Sequence, residues 1–260
     1  VLHRSCPTIE EIAVKACEYG MVSVIDHSLT TLKEIAESVE RIEGLAQDNE
    51  AMRKWSCTLS SIVESISSIG KTSVKYDLNT SSQMTIDILN DLGRYAIGGN
   101  LTFKNDFIFK RIGAIAREST KLNKNAFINA SVETLQFLGG YSVHCNCSKE
   151  ALWILDEVKE IGKYAAHQNN APVVHRVVKA IRCIAINAME YKAADIRVKA
   201  IELSTRFQLI YPSFFKDEKD IRLFSYDHPD SITITKETYD IEFTHESIRL
   251  DEYVRPPPGG

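Results

Sequence analysis

The chain has 260 residues, with 31 Lys and Arg against 35 Asp and Glu and a formal net charge of −4. With 44% hydrophobic and 25% charged residues, its composition is that of a globular protein of one or two domains, which excludes a disordered chain, a collagen-like chain and a disulfide-dense mini-protein. No apolar run approaches the roughly 20 residues that a membrane-spanning helix needs.

The negative charge belongs to the C-terminal part of the chain. Residues 216–260 contain eleven acids and six bases, whereas residues 1–215 contain 24 acids and 25 bases. The main body is therefore close to neutral, and a strongly basic nucleic-acid-binding domain is not indicated.

The chain begins at Val1 with neither an initiator Met nor the apolar core of a signal peptide, so we expect a fragment of a longer protein. Its six cysteines have no regular spacing and do not form a disulfide framework. Cys17 and Cys183 fall within helical apolar patterns and are predicted to be buried thiols. A reducing cytoplasm is the expected compartment, also if the chain is the cytosolic domain of a membrane protein.

An internal repeat of 23 residues dominates the sequence. Apolar residues, here called the anchors, recur at this spacing without a gap at Ile69, Leu92, Ile115, Leu138, Ile161 and Ile184. Large apolar residues stand six and three positions before each anchor, and Gly, Ala or Ser stands one and four positions after it. These offsets share one helical face, so each unit predicts one helix of about 16 residues that neighbours can approach closely.

A polar position ends each predicted helix. Eight residues after the anchors stand Asp77, Asn100, Asn123, Asn146, Asn169 and Lys192. Asn tolerates the left-handed conformation that ends many helices, so a short turn is predicted at each of these positions. The same register occurs earlier at Ile12-Ala13 and Ile35-Ala36, but 34 residues instead of 23 separate Ile35 from Ile69.

The repeat predicts a mainly α fold of eight or nine antiparallel helices over about residues 9–210. Two units make a pair of 46 residues, within the roughly 40–47 residues of known helix-pair repeats. At the level of the class, the chain resembles the HEAT-like and armadillo-like α-solenoids, on the strength of its period and its small-residue spacing alone. An up-and-down helical bundle with a closed end would give the same pattern.

The period changes after residue 211. Residues 231–235, 239–243 and 248–250 alternate apolar and polar side chains, which predicts two or three short strands. We therefore divide the chain into a helical repeat domain over residues 1–215, a small β-rich segment over residues 216–254 and a disordered tail over residues 255–260. Two or three short strands are only marginally stable by themselves. We therefore expect them to pack on the last helices or to pair with another chain.

One edge of the predicted array is basic. Antiparallel neighbours place alternate helix ends on opposite edges, and one edge then collects Lys71, Lys75, Arg117, Lys121, Lys163 and His167. The other edge has only Arg94 and His144 at these positions, together with Glu190. The bases either stabilise helix C-termini or bind an acidic partner, a nucleic acid or a membrane surface. No groove-reading motif accompanies them, which argues against sequence-specific duplex recognition.

A second candidate site is the run His144, Cys145 and Cys147, with His167 one unit later. Thiolate and imidazole suit Zn²⁺ or Cu(I), but the Cys-x-Cys spacing is not that of the common zinc folds. His144 and His167 fall on opposite edges of the predicted array. We therefore favour an ordinary turn with two thiols and predict no cofactor.

No phosphate-binding loop, dinucleotide-binding motif, nucleophile elbow or zinc-protease motif occurs in the sequence. We therefore predict a non-enzymatic scaffold that binds a protein or a peptide along its repeat surface. Two alternatives stay open: the soluble domain of a membrane-anchored protein, attached through segments outside this chain, and a nucleic-acid-processing enzyme on a helical scaffold.

Overall fold

The computed structural model describes residues 2–43, 49–98 and 106–215, which form nine α-helices, one 3-10 turn and no strand. The helices are α1 (Leu2–Glu18), α2 (Val22–Glu43), α3 (Asn49–Lys75), α4 (Asn79–Gly98), α5 (Asp106–Lys121), α6 (Asn125–His144), α7 (Ser148–His167), α8 (Ala171–Glu190) and α9 (Ala194–Ile210). The 3-10 turn Pro212–Phe214 follows, and this helical unit ends there. The strands predicted over residues 216–254 and the tail over residues 255–260 lie outside the described residues.

The helices form two layers, with the odd-numbered helices in one and the even-numbered helices in the other. All substantial contacts among the described residues join helices that are one or two places apart in chain order. The first and last helices of a closed bundle would also meet. The array from α1 to α9 is therefore an open helical repeat of the solenoid type, the first of the two arrangements that the sequence left open.

Glycine contacts define the directions of the helices. A Cβ atom on Gly70 of α3 would lie 2.5 Å from Thr85 of α4 and 3.2 Å from Ile115 of α5. A Cβ atom on Gly162 of α7 would meet side chains in α8 and α9 at the same sequence separations of 15 and 45 residues. A late residue of one helix thus meets the first half of the next helix and the late half of the one after. Neighbours are antiparallel, and helices two places apart are parallel.

The core follows the 23-residue pattern. Every residue that the pattern assigns to the inner face between Val63 and Ala188 is buried. Cys17 and Cys183 are buried as predicted. The hydrophobic effect on this one face therefore accounts for the stacking of the whole array.

The helices are longer than the sequence predicts. Each of α4, α6, α7 and α8 has 20 residues instead of about 16, and three residues join it to the helix that follows wherever that loop is described. The first turn of α4 begins with Asn79 and Thr80, and that of α7 with Ser148 and Lys149. Polar residues of this kind do not show in an apolar pattern, so the sequence predicts helices that begin too late. The greater length of α3, which has 27 residues, accounts for part of the 34-residue spacing between Ile35 and Ile69.

The predicted turns are confirmed at the five described positions. Backbone φ is between 54° and 59° at Asp77, Asn123, Asn146, Asn169 and Lys192, whereas Asn100 lies outside the described residues. At Asn169 the backbone N–H donates to the Ala166 carbonyl at 3.0 Å, and the next N–H donates to the Ala165 carbonyl at 2.9 Å. This bond pair is the Schellman motif, and it satisfies carbonyls that a helix end leaves without partners.

The anchors of α1 and α2 differ from all the others. Anchors from Ile69 onward, including Phe207 in α9, are at most 3% exposed, but Ile12 is 51% exposed and Ile35 is half-buried. The reason is the direction in which an anchor points. Leu138 and Ile184 cover the small residues of the helix two places earlier, and no such earlier helix exists for α1 and α2 among the described residues. The repeat register in α1 and α2 correctly predicts that Ala13 and Ala36 are buried, but it wrongly places Ile12 among the buried residues.

We predict that Gly162→Ala and Gly113→Ala have different effects on stability. A Cβ atom at Gly162 would lie 2.6 Å from Phe207 and 2.7 Å from Val177, in two other helices. Overpacking of this kind costs about 1–3 kcal/mol, against about 1 kcal/mol gained in helix propensity. At Gly113 the obstacles are the flexible ends of Glu157 and Arg117, which can move.

Urea denaturation should therefore show a lower midpoint for Gly162→Ala and an equal or higher midpoint for Gly113→Ala, at unchanged slope. Equal destabilisation by the two substitutions would contradict the packing assigned to Gly162.

A second prediction concerns Lys192, whose φ is 58°. The left-handed conformation costs an ordinary residue about 1–2 kcal/mol, and glycine avoids this cost. We expect Lys192→Gly to raise the free energy of unfolding by up to about 1 kcal/mol. Asn169→Gly, the matched control at φ 58°, should change it less because Asn already tolerates this conformation. A decrease for Lys192→Gly would contradict the assigned backbone.

Candidate functional site

The six predicted bases lie on one edge of the array. We call the side that carries the loops α1–α2, α3–α4, α5–α6 and α7–α8 the first edge. Parallel packing within the odd layer brings the C-termini of α3, α5 and α7 to this edge. These ends supply the six residues Lys71, Lys75, Arg117, Lys121, Lys163 and His167.

Acidic residues offset several of these charges. Arg117 Nη1 donates to Glu157 Oε2 at 2.9 Å, which links α5 to α7, and the absence of a side chain at Gly113 makes room for this pair. Lys121 Nζ donates to Glu118 at 2.9 Å, and Lys163 Nζ donates to Glu160 at 3.0 Å. The edge is therefore less positive than a count of its bases predicts.

The pKa shifts of Lys121 and Glu160 are consistent with this ion pairing. The pKa of Lys121 is raised, first by its hydrogen bond to Glu118 and then by the charge of that carboxylate. Burial alone would raise the pKa of Glu160, but the hydrogen bonds and charges of Lys163 and Lys159 outweigh it and hold the pKa below its ordinary value. These groups are largely exposed, so each pair contributes only about 0.2–1 kcal/mol.

The end of α3 is different. Lys71 is half-buried and Lys75 is exposed, and neither forms an ion pair with any described residue. The Lys75 Nζ atom lies 5.2 Å from the ring centroid of Tyr76, which is 38% exposed. Tyr19 is 77% exposed and occupies the neighbouring loop on the same edge. We call these four residues the α3 corner.

Sequence reasoning missed both the offsetting acids and the tyrosines. Glu118 and Glu160 stand three positions before their lysines, a helical spacing that favours ion pairs and that the sequence displays. Tyr19 and Tyr76 each follow directly on the last residue of a helix, where a side chain tends to be exposed. The partner of Arg117, by contrast, comes from another helix, and no local pattern could have identified it.

The opposite edge holds aromatic packing. The Arg94 guanidinium lies 5.9 Å from the ring centroids of Phe137 and Tyr141. The His144 ring packs edge-on against Tyr191, with centroids 5.0 Å apart. Arg94 and His144 are thus engaged with aromatic neighbours in their own layer.

The structure does not assemble the candidate metal site. Cys147 Sγ donates to the Ile97 carbonyl at 3.4 Å, and burial raises the pKa of this thiol, which disfavours the thiolate that a metal needs. His144 and His167 end antiparallel helices and lie on opposite edges. No cluster of three His, Cys, Asp or Glu suited to a metal occurs in the part of the chain that the structure describes.

None of the helices in the described part of the chain has both the length and the apolar character needed to cross a membrane. No family model matches the chain, and no curated protein matches it significantly.

Several solved structures are similar to the chain at low identity and low TM-score. One, titled "DHF46 filament", is 11% identical with a TM-score of 0.33, covering 80% of this chain and 97% of that one. A second is described as "Circular tandem repeat protein with novel repeat topology and enhanced subunit contact surfaces". It is 11% identical with a TM-score of 0.41, and the match covers 83% of this chain and 59% of that one. "Computational Design of Self-Assembling Cyclic Protein Homooligomers" is 16% identical with a TM-score of 0.43, covering 80% and 95%.

We predict that Glu160→Gln makes the chain less stable in a pH-dependent way. A folded-state pKa below the ordinary value of 4.5 gives stability that is present above that pH and is lost as the pH falls through the folded pKa. The wild type should exceed the variant by a few tenths of a kcal/mol near neutral pH.

Denaturant titrations at several pH values would show this difference disappearing in acid. The control is Glu11→Gln, an exposed glutamate with no ion pair among the described residues. A pH-independent difference for Glu160→Gln would contradict the pairing with Lys163.

Proposed function

We propose that this chain is a non-enzymatic scaffold that binds an acidic segment of a partner protein at the α3 corner. Open helical repeats offer long surfaces that suit such binding. The observation that carries the proposal is the contrast along the first edge. Lys121 and Lys163 have acidic partners, whereas Lys71 and Lys75 have none among the described residues.

The tyrosines of the α3 corner provide the contact area that the two lysines do not. Exposed lysine–carboxylate contacts contribute only about 0.2–1 kcal/mol each, so the two bases alone would bind a partner weakly. Tyrosine rings add large contact areas at low entropic cost and are enriched where interfaces concentrate their energy. The neighbouring Asp77 pairs with Lys124, so its charge is offset. The proposed partner therefore combines carboxylates with an apolar or aromatic side chain.

The test compares two double charge reversals of equal size. Lys71→Glu with Lys75→Glu changes the α3 corner, and Lys121→Glu with Lys163→Glu changes paired bases on the same edge. The probe is a synthetic copolymer of Glu and Tyr, with poly-Glu as a second probe, titrated at low and moderate salt. We expect the first pair to weaken copolymer binding by about tenfold or more, equivalent to about 1.4 kcal/mol, and the second pair to weaken it less.

Tyr76→Ala should weaken binding of the copolymer more than binding of poly-Glu, since only the copolymer offers rings. Equal losses from both charge reversals would assign binding to the whole basic edge, against the proposal. Binding that neither reversal affects, or no binding by the wild type, would leave the bases as helix-end stabilisers and overturn it.

A further inference from the structure

The turn between α6 and α7 carries two of the six cysteines, one on each side of the left-handed Asn146. Cys145 directly follows α6, and Cys147 directly precedes α7. Both are free thiols and half-buried, so a small reagent can reach them. Among the loops that the structure describes, this is the only one that contains a cysteine.

Backbone hydrogen bonds fix the geometry of this turn. The N–H groups of Asn146 and Cys147 donate to carbonyls in the last turn of α6 at 3.0 Å and 2.8 Å. Two trans peptide bonds with a left-handed residue between them keep the Cα atoms of Cys145 and Cys147 about 5.5 Å apart. This separation lies within the roughly 4.4–6.8 Å that a disulfide spans.

The side chain of Cys147 points back over Cys145. Its Sγ atom lies 3.5 Å from the Cys145 carbonyl oxygen and 3.4 Å from the Ile97 carbonyl oxygen of α4. Burial raises the pKa of Cys147, and the charges of Glu150 and Cys145 add to this rise, so the two thiols are within electrostatic reach of each other. Because the Cα separation already suits a disulfide, side-chain rotation is the movement that a bond between them requires.

We propose that Cys145 and Cys147 are a redox pair, which a low-molecular-weight disulfide such as oxidised glutathione converts into a disulfide within the turn. Cys145 reacts first, because the Ile97 carbonyl engages the Cys147 thiol. Its thiolate attacks one sulfur of the oxidant, so a mixed disulfide forms and one glutathione thiolate leaves. The Cys147 thiolate then attacks the Cys145 sulfur and releases the second. The pair loses two electrons, and its two protons end on the released thiolates.

The disulfide would change a contact at the end of α4. The Ile97 carbonyl belongs to the last turn of that helix, where carbonyls have no partner within the helix. In the reduced chain the S–H group of Cys147 donates to it, and a disulfide has no S–H group. Oxidation would therefore remove a link between α4 and the α6–α7 turn, on the edge opposite the α3 corner.

Equilibration of the full chain in glutathione buffers tests the proposal, with free thiols alkylated before tryptic digestion and mass spectrometry. Peptide 125–149 holds Cys145 and Cys147, and peptide 55–71 holds only the exposed Cys57. We expect an internal disulfide in the first peptide and a single bound glutathione in the second. At a fixed ratio of oxidised to reduced glutathione, tenfold dilution of the buffer should favour the internal disulfide about tenfold and leave Cys57 unchanged, because only the internal bond releases two glutathione molecules.

The control variants are Cys145→Ser and Cys147→Ser. In each, the first peptide should carry one glutathione, in an amount that dilution does not change. In urea that unfolds the chain, the equilibrium constant for the internal disulfide should fall by about tenfold or more, because the turn no longer holds the thiols together. Separate glutathione on each cysteine, a bond from either one to another cysteine, or an equal constant in urea would overturn the proposal.

Discussion

One packing contact determines this architecture: a large apolar anchor that covers a small residue on the helix two places earlier. Ile115 on Gly70 and Phe207 on Gly162 are instances of the same contact. Glycine inside a helix costs about 1 kcal/mol relative to alanine, and close packing of the anchors offsets this cost. The contact has a direction, and that direction leaves the two ends of the array chemically different.

The loops between helices determine which helix ends lie on the same edge of the array. Each described loop has three residues, one of them left-handed, and reverses the chain, so alternate helix ends return to the same side. Side chains at one register position then line one edge or the other according to helix parity. The gathering of the bases on the first edge is a consequence of this parity, whereas the pairing of Lys121 and Lys163 with acids three residues earlier is determined within each helix.

Periodicity in the sequence predicts the features that depend on residues within one repeat unit. The buried face, the turns at Asn123 and Asn169, and the number of helices follow from it, and the structure confirms them. Spatial relations between units do not follow from it. The exposure of Ile12 depends on which way an anchor points, and the pairing of Arg117 with Glu157 joins side chains 40 residues apart. Polar first turns such as that of α7 carry no apolar signal, so the helices were predicted too short.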